Sequence, residues 1–324
     1  MSALKQRIKD YAVRLCELGL VLTVLVSIVT VFDDQHRYVE LFAHFRMQYF
    51  VASAAFVLVF IALKWRNYAL LGIAATIFNG YYVIPWYLPP GLLSGAGAAA
   101  ESADGTPVKL MQANVRRSNG DSARFVQLVT DEAPDILVIQ EATPAWLSSL
   151  DGIASDYPYT LSEARDDSFG IALFSKFPLD SAAIVASHPR GYPEVIATAL
   201  VGGKRINLIG THPMPPIGAS STADRNLQLD ATAQLAARTP RPLIVIGDLN
   251  TTMWAFQYRR FEETSGLTNA RAGHGIAPTW PTFFPPALIP IDHCLVSDDI
   301  DVVDVRVGRS IGSDHLPLIV EIRL

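Results

Sequence analysis

Residues 242–250 read Pro-Leu-Ile-Val-Ile-Gly-Asp-Leu-Asn, and the step from apolar to polar inside this stretch decides how the second half of the chain is read. Leu243, Ile244, Val245 and Ile246 form a short unbroken apolar run, the signature of a strand buried on both faces. Asp248 and Asn250 follow that run at the strand end, where polar side chains can build a site on a rigid frame.

The same pattern recurs outward in both directions. Strands are expected over 108–115, 136–140, 169–174, 194–201, 205–211, 243–246, 291–296, 302–307 and 316–322, and helices over 122–131, 222–237 and 254–263. In the helix over 222–237, Leu227, Ala231 and Leu235 recur at a spacing of four, which predicts a core-facing stripe. Several strands follow one another without an intervening helix, so antiparallel pairing is expected, in two packed sheets covered by helices. Polar residues mark the ends of the apolar runs: Asn114, Glu141, His212, Asp248 and Asn250, then Asp292 at the head of one strand and Ser313, Asp314 and His315 ahead of the last. One polar residue at a strand end is ordinarily a cap or a turn residue. So many at successive ends imply a shared rim on which a site is built.

The first ninety residues are of another kind. Apolar runs over 15–32, 47–63 and 68–88 each approach the roughly 20 residues that cross a bilayer core. Three runs separated by charged loops do not fit a cleavable signal peptide. Lys5, Arg7, Lys9 and Arg14 precede or open the first run, and Lys64 and Arg66 separate the second from the third, while the intervening loop holds only Arg37 and Arg46. The positive-inside rule therefore puts the N-terminus in the cytoplasm and, after three crossings, the remainder outside it. Tyr81, Tyr82, Trp86 and Tyr87 fall near the outer end of the third run, where amphipathic aromatics anchor. Residues 91–106 are rich in Gly, Ala and Ser and read as a linker. The expected organisation is a membrane anchor over 1–90, a linker over 91–106 and a catalytic domain over 107–324.

Composition narrows the function. Of 26 Lys and Arg and 31 Asp and Glu, residues 1–104 hold 8 and 7, which leaves 18 against 24 and a net of −6 beyond them. That is a poor electrostatic footprint for tight nonspecific nucleic-acid binding, although a bound cation can neutralise phosphate for a nuclease. Only two cysteines occur, Cys16 in the first apolar run and Cys294 in a strand, so a disulfide framework or structural zinc has no material.

Five pieces in order, Gln112-Ala-Asn114, Ile139-Gln-Glu141, Gly247-Asp-Leu-Asn250, Ile291-Asp-His293 and Ser313-Asp-His315, resemble the endonuclease/exonuclease/phosphatase superfamily of deoxyribonuclease I-like and neutral sphingomyelinase-like enzymes. Gly170-Ile-Ala-Leu-Phe-Ser-Lys176 and Thr279-Trp-Pro281 resemble segments common in bacterial members. The resemblance spans nearly all of 107–324 and implies a four-layer α/β/β/α sandwich carrying a Mg²⁺- or Mn²⁺-dependent phosphoesterase, endonuclease or exonuclease in type. It implies Glu141, Asp314 and Asn114 around the metal, and Asn114, Asn250 and His212 at the phosphate. It also implies Asp248 as the residue that orients or deprotonates water, and His315 paired with Asp292. His212 has no evident carboxylate partner, Glu163, Asp166 and Asp167 being candidates, and Arg116 stands where abasic-site enzymes carry a metal-binding acid. His293 is expected on the opposite strand face, in the core. Arg225 and Asn226 either meet substrate or cover a helix surface. Phe283, Phe284, Leu288 and Ile289 form either a plug or a lip that touches lipid or a nucleobase.

The implied function is phosphodiester hydrolysis at a bacterial inner membrane, with the catalytic domain periplasmic. Nucleic acid, DNA or RNA, is the commonest precedent for the substrate. A phospholipid headgroup or another membrane phosphoester is the alternative, and a non-catalytic membrane binding protein is the second. No obligate protein partner is implied.

Overall fold

The computed structural model describes residues 2–89, 105–187 and 190–324. The expected linker lies outside the described residues except for Gly105 and Thr106. The chain divides into two compact units, one of Met1–Pro85 with Trp254–Phe256 and one of Trp86–Met253 with Gln257–Leu324.

The first unit is helical: α1 (Ser2–Val29), α2 (Arg37–Ala43), α3 (Arg46–Ala62) and α4 (Arg66–Val83). Leu4–Phe32 and Arg66–Tyr87 are long and apolar enough to cross a membrane. At 17 residues α3 is short of that length, and a third span exists only if α2 and α3, which meet at a 60° bend, are counted together. The expected three spans are thus two helices that qualify alone and a bent pair. Leu18, Leu22, Leu25, Leu58 and Ile77 stand exposed on these helices, whereas Leu20, Phe60 and Ala69 pack inside. Polar groups tie the helices together: Arg46 donates to the Ser27 carbonyl and Asn79 to the Ser27 hydroxyl.

The second unit is built on two sheets. Its strands are β1 (Pro107–Asn114), β2 (Ile136–Gln140), β3 (Tyr159–Glu163), β4 (Ile171–Ser175), β5 (Leu179–Val185), β6 (Glu194–Val201), β7 (Lys204–Gly210), β8 (Leu243–Asp248), β9 (Thr268–Asn269), β10 (Asp292–Val296), β11 (Asp301–Val307) and β12 (Leu318–Arg323). They form two six-stranded sheets ordered β11-β12-β1-β2-β4-β3 and β5-β6-β7-β8-β10-β9. Pairing is antiparallel except for β1 with β2 and β7 with β8. The helices are α5 (Ser122–Glu132), α6 (Pro144–Ser148), α7 (Asp151–Ala154), α8 (Ala219–Arg238) and α9 (Phe256–Ser265).

Alternation along each strand makes the layers. Val108 and Leu110 of β1, Val138 of β2 and Leu173 of β4 meet Val195, Leu208, Ile244 and Ile246 of the other sheet in one core. Met111, Ala113, Leu137 and Ile139 point the other way, onto Phe125, Leu128 and Trp146 of α5 and α6. α8 is the crossover between the parallel strands β7 and β8 and reaches its sheet through Thr232, whose hydroxyl donates to Glu194 of β6. The central strands β2, β4, β8 and β10 are buried along their whole length, as strands covered on both faces must be. This is the expected α/β/β/α sandwich. The strands that the sequence did not announce, β3, β5 and β9, are two partly exposed strands of mixed polarity and a two-residue edge strand, with too little apolar periodicity to signal themselves.

On α8 the expected stripe is corrected. Leu227 is exposed, and the buried face is Arg225, Leu229, Thr232, Ala233 and Ala236. Thr232 and Arg225 are drawn inward by specific acceptors, Glu194 and the Asn250 carbonyl, which rotates the helix away from the face that apolar spacing selects. Leu229→Ala should therefore cost about 2–5 kcal/mol and lower the unfolding midpoint. Leu227→Ala should change stability by no more than about 0.5 kcal/mol. Thermal unfolding of the two variants in detergent checks the assignment, and equal effects would contradict it.

Candidate active site

Strand register brings the polar strand ends together. Asn114 pairs with Gln140 across the parallel β1–β2 ladder, so Asn114 and Glu141 leave their sheet at the same end. In the other sheet Asp248 lies opposite Asp292 across β8–β10. His212 follows β7, which runs parallel to β8. Gly247 is required here, because a Cβ on it would sit 1.9 Å from the Thr211 carbonyl oxygen. Only a glycine lets the backbone carrying His212 approach the backbone carrying Asp248 so closely.

Two carboxamides clasp the sheets. Gln112 donates to Asp292 Oδ1 at 2.7 Å, and Asn114 Nδ2 lies 3.2 Å from Asp248 Oδ2 and 3.3 Å from Glu141 Oε1. Asp248 Oδ2 is the hub: His212 Nε2 stands 3.5 Å from it and His315 Nε2 3.7 Å. The other oxygen of Asp248 accepts the Asn250 backbone N–H at 2.9 Å, and the Asn250 side chain donates to the Pro213 carbonyl. Asp292 Oδ2 is 2.8 Å from His315 Nδ1, and Ser313 fixes the loop below by donating to the Asn114 carbonyl and accepting the His315 N–H. Asp248, Asp292 and His315 bring ligand-type atoms within 4.8 Å of one another, but His315 Nδ1 is already engaged by Asp292, which makes this an acid–imidazole dyad beside a third carboxylate.

The electrostatics follow from these contacts. Burial opposes a charge on His315, but the carboxylates of Asp292 and Asp248 outweigh it and lift the ring to about 9. Burial likewise opposes a charge on His212, and the hydrogen bond and charge of Asp248, aided by Glu141, carry its pKa above the ordinary value. For Asp292, burial favours the neutral acid. His315 and the donors Thr279 and Gln112 overcome it and hold the acid below its ordinary range.

Asn114, Glu141, His212, Asp248, Asn250, Asp292 and His315 are brought to this rim, whereas His293 and Arg225 are not. Glu141, half-buried, also accepts the Arg117 N–H at 2.9 Å. Asp314 faces Arg116 at 3.9 Å, and its charge also favours the proton on His315. None of Glu163, Asp166 and Asp167 makes a hydrogen bond to His212: Glu163 and Asp167 hold Arg165, Asp166 gives its carbonyl to Arg117, and buried His212 Nδ1 has no hydrogen-bond partner among the described residues. The Phe169 ring lies 5.9 Å from the His212 ring. His293 is in the core, bonded to the Thr251 carbonyl, and burial together with Arg271 drives its pKa down to about 3. Arg225 is wholly buried and supports the Asn250 carbonyl, which removes it from the substrate side.

Three contributors went unassigned: Gln112, Thr279 and Ser313. Gln112 had a signal, since it shares the inter-sheet face of β1 with Val108 and Leu110, where a polar side chain needs a partner. Thr279 and Ser313 stand in segments quoted from the sequence but without a role, because their contacts, to the Ile291 and Asp292 N–H groups and to the Asn114 carbonyl and His315 N–H, depend on chain brought from elsewhere.

Oxygen donors dominate the rim. Glu141 and Asp248 turn toward one amide nitrogen, an arrangement that suits a hard divalent cation better than a thiophilic one.

A model of the Endonuclease/Exonuclease/phosphatase family matches residues 111–315. No curated protein matches the sequence. Among solved structures, an endonuclease/exonuclease/phosphatase from Beutenbergia cavernae aligns with TM-score 0.54 at 20% identity, covering 67% of this chain and 72% of that one. A family protein from Bacteroides thetaiotaomicron aligns with 0.54 at 20%, covering 67% and 98%. D. rerio TDP2 complexed with a single-strand DNA product aligns with 0.57 at 17%, covering 68% and 100%. At these identities the likeness is one of fold.

The raised pKa of His315 predicts a pH dependence of stability. The folded state holds this proton more tightly than the unfolded chain, so the pair with Asp292 stabilises fully below the ordinary 6.5 and that contribution is lost as pH rises through about 9. Asp292 titrates below that window. Asp292→Asn should therefore lower the unfolding midpoint most at pH 6, with a gap that narrows toward pH 10. A gap independent of pH would contradict the ion pair.

Proposed function

This chain belongs to the endonuclease/exonuclease/phosphatase family, and we propose that it is a membrane-anchored, Mg²⁺- or Mn²⁺-dependent phosphodiesterase. The observation that carries this reading is the single oxygen of Asp248 approached by two imidazoles and one amide. A binding module has no use for a buried acid–imidazole pair that keeps a proton at neutral pH, whereas hydrolysis of a diester needs both a base for water and an acid for the leaving alcohol.

In this reading Asp248 orients and deprotonates the attacking water. His315, kept charged by Asp292, and His212 donate to phosphate oxygens or protonate the departing alcohol, with Asn114 and Asn250 ordering the phosphate and the loop. Glu141, Asp314 and Asn114 would hold the divalent cation, which when bound offsets the charge that develops on the phosphoryl oxygens.

Residues 1–90 serve as the anchor, 91–106 as a linker and 107–324 as the catalytic domain. Two helices long and apolar enough to span a bilayer support the anchor, and the bent α2–α3 pair supplies the third crossing that delivers the domain to the periplasm of a bacterial inner membrane. DNA or RNA has support as a substrate class in the fold shared with a protein solved with a DNA product. The acidic balance beyond residue 104 weighs against it.

Glu141→Gln and His315→Ala should each lower metal-dependent hydrolysis of bis-p-nitrophenyl phosphate by about 100-fold or more, and a chelator should abolish it. If both variants match the parent chain in every phosphoesterase assay, a non-catalytic binding protein is the better description. Protease added to intact spheroplasts should cut the catalytic domain, and full protection would reverse the topology.

A further inference from the structure

Behind the rim lies a second polar cluster that the chemistry above leaves unused: Tyr258 of α9, Asn269 of β9, Arg271 in the loop after it and His293 of β10, all buried. Its hydrogen bonds assign the proton on the imidazole. Asn269 Oδ1 accepts the Arg271 backbone N–H at 3.0 Å, which turns the Asn269 amide nitrogen toward His293 Nδ1, 3.0 Å away. The Arg271 guanidinium lies 3.3 Å from the same ring nitrogen, so Nδ1 meets two donors and is the bare, accepting atom. Nε2 lies 2.9 Å from the Thr251 carbonyl oxygen, which can only accept, so Nε2 carries the hydrogen. Arg271 is fixed in turn by donating to the Ile276 and Ala277 carbonyls at 2.7 and 3.1 Å, and the Tyr258 ring lies 4.7 Å from the imidazole. A guanidinium and an imidazole are costly to bury, and apolar side chains would fill this space without that cost.

The cluster is directed at the turn that carries Asp248. In that turn Asn250 takes a left-handed φ of 50° and donates its N–H to Asp248 Oδ1 at 2.9 Å. Two successive carbonyls of the turn are caught by buried side chains from different elements. That of Asn250 accepts from Arg225 of α8 at 3.1 Å, and that of Thr251 accepts from His293. Asp292 is the neighbour of His293 on β10, and strand alternation sends the two side chains to opposite faces, one to His315 and the other to the turn. A single strand thus holds both the partner of His315 and the turn of Asp248. With Oδ1 taken by the Asn250 N–H, Oδ2 is left at the point that His212, His315 and Asn114 approach. Release of the Thr251 carbonyl would loosen the Asn250 N–H and let the carboxylate rotate away from that point.

We propose that His293 is a positioning residue for Asp248: protonated at Nε2 alone, it anchors the Thr251 carbonyl and so keeps Asp248 Oδ2 aimed at the attacking water. The proposal rests on the phosphodiesterase reading, in which Asp248 activates water, and extends it to a residue that touches neither substrate nor cation. His293 neither gives nor takes a proton in the reaction.

Nitrogen NMR of the full chain in detergent, labelled at histidine and assigned by loss of one ring in His293→Gln, should show His293 with a protonated Nε2 and a bare Nδ1 at neutral pH. Two substitutions then separate the edges of the ring. His293→Gln keeps a donor where Nε2 stood and gives up the acceptor for Arg271, whereas His293→Asn keeps an acceptor where Nδ1 stood and is too short to reach Thr251. Both should lower the unfolding midpoint, because each leaves a buried group unpaired. In hydrolysis of bis-p-nitrophenyl phosphate with Mg²⁺, His293→Asn should lower kcat about tenfold or more with KM unchanged, while His293→Gln stays within about threefold of the parent chain. Equal kcat in the two variants, a loss carried by KM, or a ring protonated at Nδ1 overturns the positioning role and leaves the phosphodiesterase reading standing. A parent chain that hydrolyses no phosphodiester overturns both.

Discussion

Two buried carboxylates, Asp248 and Asp292, set the terms for the two-sheet unit. Both lie on one sheet and are almost fully removed from water, an expensive placement unless every oxygen finds a donor. The facing sheet provides those donors: Gln112 and Asn114 reach across the sandwich, and the loop before β12 brings His315. The contact that makes the site is therefore also the contact that locks one sheet onto the other at its functional end. A truncated donor would leave a charge stranded in low dielectric, with loss of geometry as well as of a hydrogen bond.

The backbone is held under tension around that clasp. Arg116, Glu141 and Asn250 all take left-handed φ values, of 57°, 61° and 50°, on three different loops that meet at the rim. A non-glycine residue in that region costs of order 1–3 kcal/mol and persists only where its surroundings over-determine it. Here the surroundings are identifiable: the Asn114 side chain accepts the Arg116 N–H, Glu141 accepts the Arg117 N–H, and Asp248 accepts the Asn250 N–H. Each turn is pinned by a carboxylate or carboxamide of the rim, so its polar groups arrive already aimed.

The helical unit follows a different rule. Its large apolar side chains face outward, and polar groups such as Arg46, Ser27 and Asn79 are satisfied between helices. That inverts the arrangement of the sandwich and is what a surrounding of hydrocarbon selects. One chain thus combines a unit that buries its apolar side chains with one that presents them outward on helices long and apolar enough to cross a membrane.

Sequence alone determined the alternation of buried strand and polar terminus, because apolar runs and their ends are local and survive any arrangement of the rest. It therefore reached the sandwich, the central strands and the rim residues from Asn114 to His315. Tertiary structure decided what depends on register and on distant partners: that Asp248 lies opposite Asp292, that Gln112 donates to Asp292, and that among the described residues His212 meets the Asp248 carboxylate through Nε2 and no acceptor through Nδ1. It also decided that α8 buries Arg225 and Thr232 while Leu227 faces out. Hydrophobic spacing measures what one element would bury by itself. A buried polar residue is placed by an acceptor elsewhere in the chain, and only the folded molecule brings that acceptor near.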